Sequence, residues 1–385
     1  MPELDLITGG HAVAEAMRQI DPDVVPVYPI TPQTPIVEGF AAFVAAGRAH
    51  GELLDVESEH SALSAAIGAA LAGGRAMTAT SSQGLALMTE IVYIAASLRA
   101  PVVMAVGNRA LSGPINIHCD HSDSMLVRDS GVIQLFAENA QEAYDLMLIA
   151  PRLAEHPEVL LPVLVCQDGF TITHSAEPVS LLPDDAARTF VGDYRVPTPL
   201  LDVAHPATQG PFAMPDYYFE LRHHLNAAQE RAGEVFAELA EEYAALSDRS
   251  YATLEPYTLG DAEHAIVCLG STGGTVKDAI DDLRAEGERV GLAEIRSFRP
   301  FPSHELADAL AHVQQAVVLD RADAPGAHPP LFGDVAAALY GTGVELRSAV
   351  YGLGGREIHP SDIATLLAPA AAASYPGLRG VPCPA

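Results

Sequence analysis

Short apolar runs alternate with helix-spaced segments along this chain, and that rhythm restricts the fold more than anything else in it. "DVVPVYPI" reads as a buried strand, and "ELLDVES", "AMTATSS", "PVVMAVGN" and "EVLLPVLVCQDGF" read as further strands. Between them, Val13, Ala16, Met17 and Ile20 recur at helical spacing. Thr34 is the expected N-cap of the next helix, with Pro35 at its first position and Ile36, Phe40, Phe43 and Val44 on one apolar face. "EHSALSAAIGAALAG" is a small-residue helix that ends at Gly73-Gly74. Strands alternating with helices imply an α/β fold with a mostly parallel, doubly wound sheet.

The rhythm fails from Thr171 to about Met214, where prolines accumulate, and so long a run reads as a functional or interdomain excursion. Asp216 to Leu246 then reads as one long amphipathic helix. A fresh α/β pattern follows in "HAIVCLG", "RVGLAEI" and "QAVVLD", so a boundary is expected near Thr258, giving domains 1–257 and 258–385. A length of 385 residues favours two domains on its own account.

Composition excludes several classes. The formal charge is −29 and Lys277 is the single lysine among 21 basic residues, so nucleic acid is not an expected partner. Cys119, Cys166, Cys268 and Cys383 form no C-x-x-C pair, which argues against disulfide stapling and against an iron–sulfur or zinc-ribbon site. The first residues lack a signal-peptide pattern and no apolar stretch is of membrane-spanning length, so a cytoplasmic protein is expected.

Two motifs are set aside. "GSTGGT" at Gly270 to Thr275 matches neither spacing of a phosphate-binding loop and reads as a tight strand-to-helix turn. "HCDHSD" at His118 to Asp123 is a compressed loop without ordinary zinc spacing, and no metal site is expected there. Glu57 and Glu59 fall where a buried strand should end and a helix begin, which is where ligands bind in open α/β sheets. Glu59 belongs in the first helical turn, either as an acid satisfying the helix dipole or as a site acid. Arg109 lies just past "PVVMAV", as a salt-bridge partner or a carboxylate clamp. Pro29 and Pro32 keep Ile30-Thr31 extended beside the next helix. Thr31, Glu59 and Arg109 are thus on three carboxyl-end loops that can converge on one crevice.

"YPITPQTP", "VESEHSA", "TSSQGLALM", "NRALSGPINIHCDHSDSMLVRDSG", "IRSFRPFP" and "YGLGGREIHP" resemble, in order, the α subunit of pyruvate:ferredoxin oxidoreductase in the 2-oxoacid:ferredoxin oxidoreductase family. The resemblance implies a thiamine-diphosphate-binding fold of the pyrimidine type, followed by a transketolase C-terminal-like α/β domain. It implies oxidative decarboxylation of a 2-oxoacid, pyruvate first, with coenzyme A to an acyl-CoA, CO2 and reduced ferredoxin. Glu59 matches the glutamate that hydrogen-bonds the aminopyrimidine of the cofactor, and Tyr28 and Pro29 would wall that cofactor. Thr31 matches the threonine beside the reacting carbon, and Arg109 the arginine that pairs with the substrate carboxylate. Oxalate-cleaving relatives carry an extra positive group at the threonine position, so Thr31 argues against a dicarboxylate substrate.

The family's G-D-G segment with its following asparagine, which holds Mg²⁺ and the diphosphate, is missing from this chain. The resemblance therefore implies a shared thiamine diphosphate site, with a β subunit supplying the diphosphate and Mg²⁺ side and a cluster. Further iron–sulfur clusters are expected on γ and ferredoxin-like δ chains, with ferredoxin as acceptor. Two alternatives stay open: a branched-chain (2-oxoisovalerate) oxidoreductase, and a cluster-free thiamine-dependent lyase or acyl-transfer subunit.

Overall fold

The alternation expected from the sequence is what the chain forms, and the strand ends it creates position the site. Along the chain run β1 (Asp5–Thr8), α1 (Gly9–Ile20), β2 (Val24–Val27), α2 (Thr34–Ala45), β3 (Glu52–Asp55), α3 (Glu59–Ala72), β4 (Met77–Thr80) and α4 (Ser82–Leu98). Then come β5 (Val103–Asn108), α5 (Ser122–Leu126), β6 (Ile133–Phe136), α6 (Ala140–Glu155), β7 (Val163–Asp168), β8 (Ala176–Val179), α7 (Asp184–Val191) and α8 (Pro215–Ser247). The remainder comprises β9 (Leu254–Tyr257), β10 (His264–Leu269), α9 (Thr272–Ala285), β11 (Val290–Ile295), β12 (Ser297–Arg299), α10 (Ser303–Leu310), β13 (Gln315–Asp320), α11 (Pro330–Ala338), β14 (Glu345–Val350) and α12 (Pro360–Leu367). The computed structural model describes residues 4–367; Cys383 and the alanine-rich "APAAAAS" lie outside the described residues. Two units divide it: residues 4–253 with Arg296–Phe301, and Leu254–Ile295 with residues 302–367.

In the first unit the sheet runs β12-β6-β7-β5-β4, parallel except for β12, which pairs antiparallel with β6. The parallel pair β2-β3 continues it through a bridge between Val24 and Ala76, just before β4. β4 to β7 are buried along their whole length, as strands covered on both faces must be. The core gathers Phe40, Tyr144, Phe236 and Tyr243 from α2, α6 and α8. Long α8 buries Leu225, Ala228, Ala232, Val235, Phe236, Leu239, Ala240 and Tyr243, one stripe at helical spacing.

The second unit holds a sheet of order β14-β13-β10-β11-β9, with only β9 antiparallel. Its "GSTGGT" forms the β10-to-α9 turn, and a side chain at Gly273 would collide with the Glu294 carboxyl. Lys277 pairs with that carboxyl at 3.0 Å, so the chain's own acid fills this turn.

Three local expectations need correction. α2 starts at Thr34 with Gln33 as its N-cap, because buried Gln33 donates from Nε2 to the Tyr28 carbonyl (3.0 Å) and fixes the turn one residue earlier. β3 is not buried: it pairs with β2 alone and is exposed at three of its four residues. The aperiodic stretch contains β8, antiparallel to β1, and α7. Both are too short to show a period, and tertiary bonds hold them: Arg18 forks onto Asp184 (2.9 and 2.7 Å) and Gln19 donates to the Leu182 carbonyl (2.8 Å). Among the described residues no helix is long and apolar enough to cross a membrane.

Candidate active site

The carboxyl ends of β4, β5 and β7 lie side by side, so the residues that follow each strand meet. At this edge Gly169 donates its amide to the Asn108 carbonyl (3.0 Å), joining the ends of β5 and β7. Pro32 packs onto that junction: a side chain at Gly169 would come within 2.8 Å of its Cγ, and one at Gly107 within 3.4 Å. Both glycines are therefore room for the Thr31-Pro32 turn rather than flexible points. Thr31 itself is exposed above the strand ends, as are Tyr28 and Pro29.

Arg109 follows β5 directly and is 7% exposed. Its Nη1 donates to the Thr31 carbonyl (2.8 Å) and its Nε to the Asn116 carbonyl (3.1 Å). Two of the three expected residues are thus in direct contact, and the guanidinium is held by neutral carbonyls at those atoms.

Glu59 is the first residue of α3, and the Ser58 hydroxyl accepts from the Ser61 amide to cap that helix (3.2 Å). The two glutamates of "VESEH" part here. Glu57 is exposed and accepts the Ser61 hydroxyl, which holds its carboxyl below the usual range. Glu59 turns inward, 7% exposed, against the first turn of α4. A side chain at Gly84 would lie 2.8 Å from Glu59 Cγ and 2.9 Å from its Oε1. No described residue hydrogen-bonds or ion-pairs with the Glu59 carboxyl. Thr80 Oγ1, which faces the same Gly84, is buried and without partner among the described residues, as is Ser81 Oγ, which faces Gly107. With no protein partner, the Glu59 carboxyl is open to a ligand at this strand edge.

Asp123 ties these loops together, and sequence reading missed it. Its Oδ2 accepts the amides of Ser82 (2.9 Å) and Arg109 (3.0 Å); its Oδ1 accepts Asn108 Nδ2 (2.9 Å) and the Ser124 amide (2.8 Å). Burial pushes this carboxyl up to about 6 against the opposing pull of the N–H donors from Asn108, Arg109 and Ser82. Ser82, the first residue of α4, has φ of 48°, uncommon for a residue with a side chain. Its hydroxyl donates to the Ala110 carbonyl (2.7 Å), a second tie between the same two loops.

The "HCDHSD" loop also yields a cluster its own spacing hides. Cys119, His121 and Asp168 bring their ligand-type atoms within 4.8 Å of one another, all three buried. Asp168 comes from the end of β7, so the grouping exists only in the fold. His121 Nε2 and Asp168 Oδ1 are 2.7 Å apart, a hydrogen bond already made.

Comparison with known proteins decides the lineage. The model for "Pyruvate flavodoxin/ferredoxin oxidoreductase, thiamine diP-bdg" matches residues 15–241, which hold Thr31, Glu59 and Arg109. The chain belongs to this family. A second model, "Pyruvate:ferredoxin oxidoreductase core domain II", matches residues 262–363. Pyruvate synthase subunit PorA of Thermotoga maritima is 57% identical over 93% of this chain and 92% of its own. The subunit of that name from Methanocaldococcus jannaschii is 46% identical over 95% of each. Ketoisovalerate oxidoreductase subunit VorA of Pyrococcus horikoshii is 39% identical over 94% of this chain and 92% of its own. Among solved structures, a 2-oxoglutarate:ferredoxin oxidoreductase from Magnetococcus marinus superposes with a TM-score of 0.74 at 20% identity, over 95% of this chain. This chain spans only 65% of that one. A split-gene transketolase superposes with a TM-score of 0.51 at 14% identity over 90% of each chain, which supports the α/β architecture alone.

The residues present fit one side of thiamine diphosphate. Glu59 faces the first turn of α4 without a protein partner, near the orphaned Thr80 hydroxyl, so its carboxyl can take a ring nitrogen.

Proposed function

We propose that this chain is the α subunit of a thiamine diphosphate-dependent pyruvate:ferredoxin oxidoreductase, making acetyl-CoA, CO2 and reduced ferredoxin from pyruvate and coenzyme A. The observation that carries this reading is the buried Glu59 carboxyl, held against Gly84 and without a partner of its own. Glu59 would hold a proton at Oε1 or Oε2 for the aminopyrimidine ring, with Tyr28 and Pro29 walling it. When bound, thiamine diphosphate supplies a nucleophilic carbon and an electron sink for loss of CO2. Arg109 would neutralise the 2-oxoacid carboxylate, and its bond to the Thr31 carbonyl keeps the threonine within the same turn. Thr31 would orient the substrate through its hydroxyl, on a turn already seated by Pro32.

A β subunit supplies the diphosphate and Mg²⁺ side, and with γ and ferredoxin-like δ chains it carries the clusters, in a cytoplasmic complex. The branched-chain reading keeps the same residues and differs only in the substrate. A substrate panel on the complex co-expressed with its partner chains separates these readings. Pyruvate, 2-oxobutyrate, 2-oxoisovalerate and 2-oxoglutarate are compared with coenzyme A and a one-electron acceptor. The expected result is fastest acceptor reduction with pyruvate. Preference for 2-oxoisovalerate selects the branched-chain enzyme, and decarboxylation without acceptor reduction overturns the oxidoreductase reading.

A further inference from the structure

Asp123 is fully buried, and its four hydrogen bonds come from N–H donors on three loops without any cation in hydrogen-bond reach among the described residues. A carboxylate in that position is costly unless each lone pair is used, and here each oxygen takes two donors. The donors are not scattered. Ser82 begins the turn against which Glu59 packs, and Arg109 and Asn108 end β5. We propose that Asp123 is a positioning residue of the 2-oxoacid site, an anionic clasp that sets the Arg109 backbone and the first turn of α4 in one register. The inference rests on Arg109 binding the substrate carboxylate, as proposed above.

Chemistry makes the clasp specific to a carboxylate. An asparagine at 123 has one acceptor oxygen and one NH2, so either rotamer turns a donor onto a pair of donors. One rotamer sets it against the Ser82 and Arg109 amides, the other against Asn108 Nδ2 and the Ser124 amide. The neighbouring amide offers a repair. With aspartate at 108, the NH2 of asparagine at 123 gains an acceptor and its oxygen again faces Ser82 and Arg109, while the Ser124 amide alone is left facing that NH2, so the repair is partial. Ser82 gives the clasp a second task, because its left-handed backbone is disfavoured for a residue with a side chain and holds only where its surroundings over-determine it.

The test uses the assembled complex with Asp123→Asn alone and with Asn108→Asp added. KM for pyruvate and KM for coenzyme A are measured separately. D123N should raise KM for pyruvate about tenfold with KM for coenzyme A unchanged, and the double variant should bring it back to within about threefold of the parent. Equal rises in both constants with no rescue by N108D, or no change in either, overturns the proposal. If D123N does not assemble, amide exchange in the parent complex decides. Ser82 and Arg109 amides that exchange as fast as exposed loops overturn the clasp, and strong protection of both supports it. Absence of acceptor reduction by the parent complex with every 2-oxoacid would instead overturn the functional reading, leaving the exchange measurement to judge the clasp.

Discussion

Asp320 and Asp123 are both buried aspartates that receive backbone amides, and they differ in what those amides belong to. Asp320, at the end of β13, accepts the amides of Leu331 (2.8 Å) and Phe332 (3.0 Å) in the first turn of α11. That is a cap: it satisfies donors that any helix start leaves open and orders a strand-to-helix connection. Asp123 accepts amides from residues 41 and 14 positions away, one in a left-handed backbone and one on an arginine aimed at Thr31. The Asp320 bonds close a local strand-to-helix connection on itself. The Asp123 bonds join loops at a strand edge where Thr80 Oγ1 and Ser81 Oγ have no partner among the described residues. Unused polar groups gathered at such an edge are what a ligand site offers.

That contrast breaks most decisively at Glu59. Glu59→Gln keeps the shape of the side chain and removes the acid, so turnover of the assembled complex should fall about a thousandfold with assembly intact. Retention of activity within a few-fold would erase that contrast. Arg109→Ala comes next: loss of a charge-assisted contact to a carboxylate should lower kcat/KM for the 2-oxoacid about 10- to 100-fold. Steady-state kinetics varying each substrate in turn checks it, and a change confined to coenzyme A or ferredoxin would refute the clamp. The smallest effect belongs to the second unit. Asp320→Asn should cost about 1–2 kcal/mol in denaturant unfolding and leave KM for every substrate where it was. A substrate-specific loss there would make Asp320 more than a cap.

Much of this architecture is legible in residue order, because it rests on local signals. Apolar runs mark the strands, and a small-residue segment ending in paired glycines marks α3. The loops bearing Thr31, Glu59 and Arg109 fall at carboxyl ends because connections in a parallel sheet put them there. The Thr31–Arg109 contact follows from that placement, although its atoms do not: the guanidinium meets the threonine carbonyl, not its hydroxyl. What residue order hides depends on long-range pairing. His121 finds Asp168 47 positions on, and Asp123 finds Ser82 41 positions back. α7 takes its place through Arg18 and Gln19, so eight residues form a helix that no periodicity announces. β3 reads as a buried strand in the sequence, yet among the described strands it pairs with β2 alone and stays largely exposed.

The six residues Arg296–Phe301 return from the second unit's stretch of sequence to the first. They add β12 to the edge of β6, and Arg296 pairs there with buried Glu142 at 2.6 Å. The first unit is therefore not a segment that recombination can lift out whole. Any single crossover that took residues up to 253 would strip an edge strand and orphan an acid. A cut that keeps the first unit whole has to carry residues 296–301 with it.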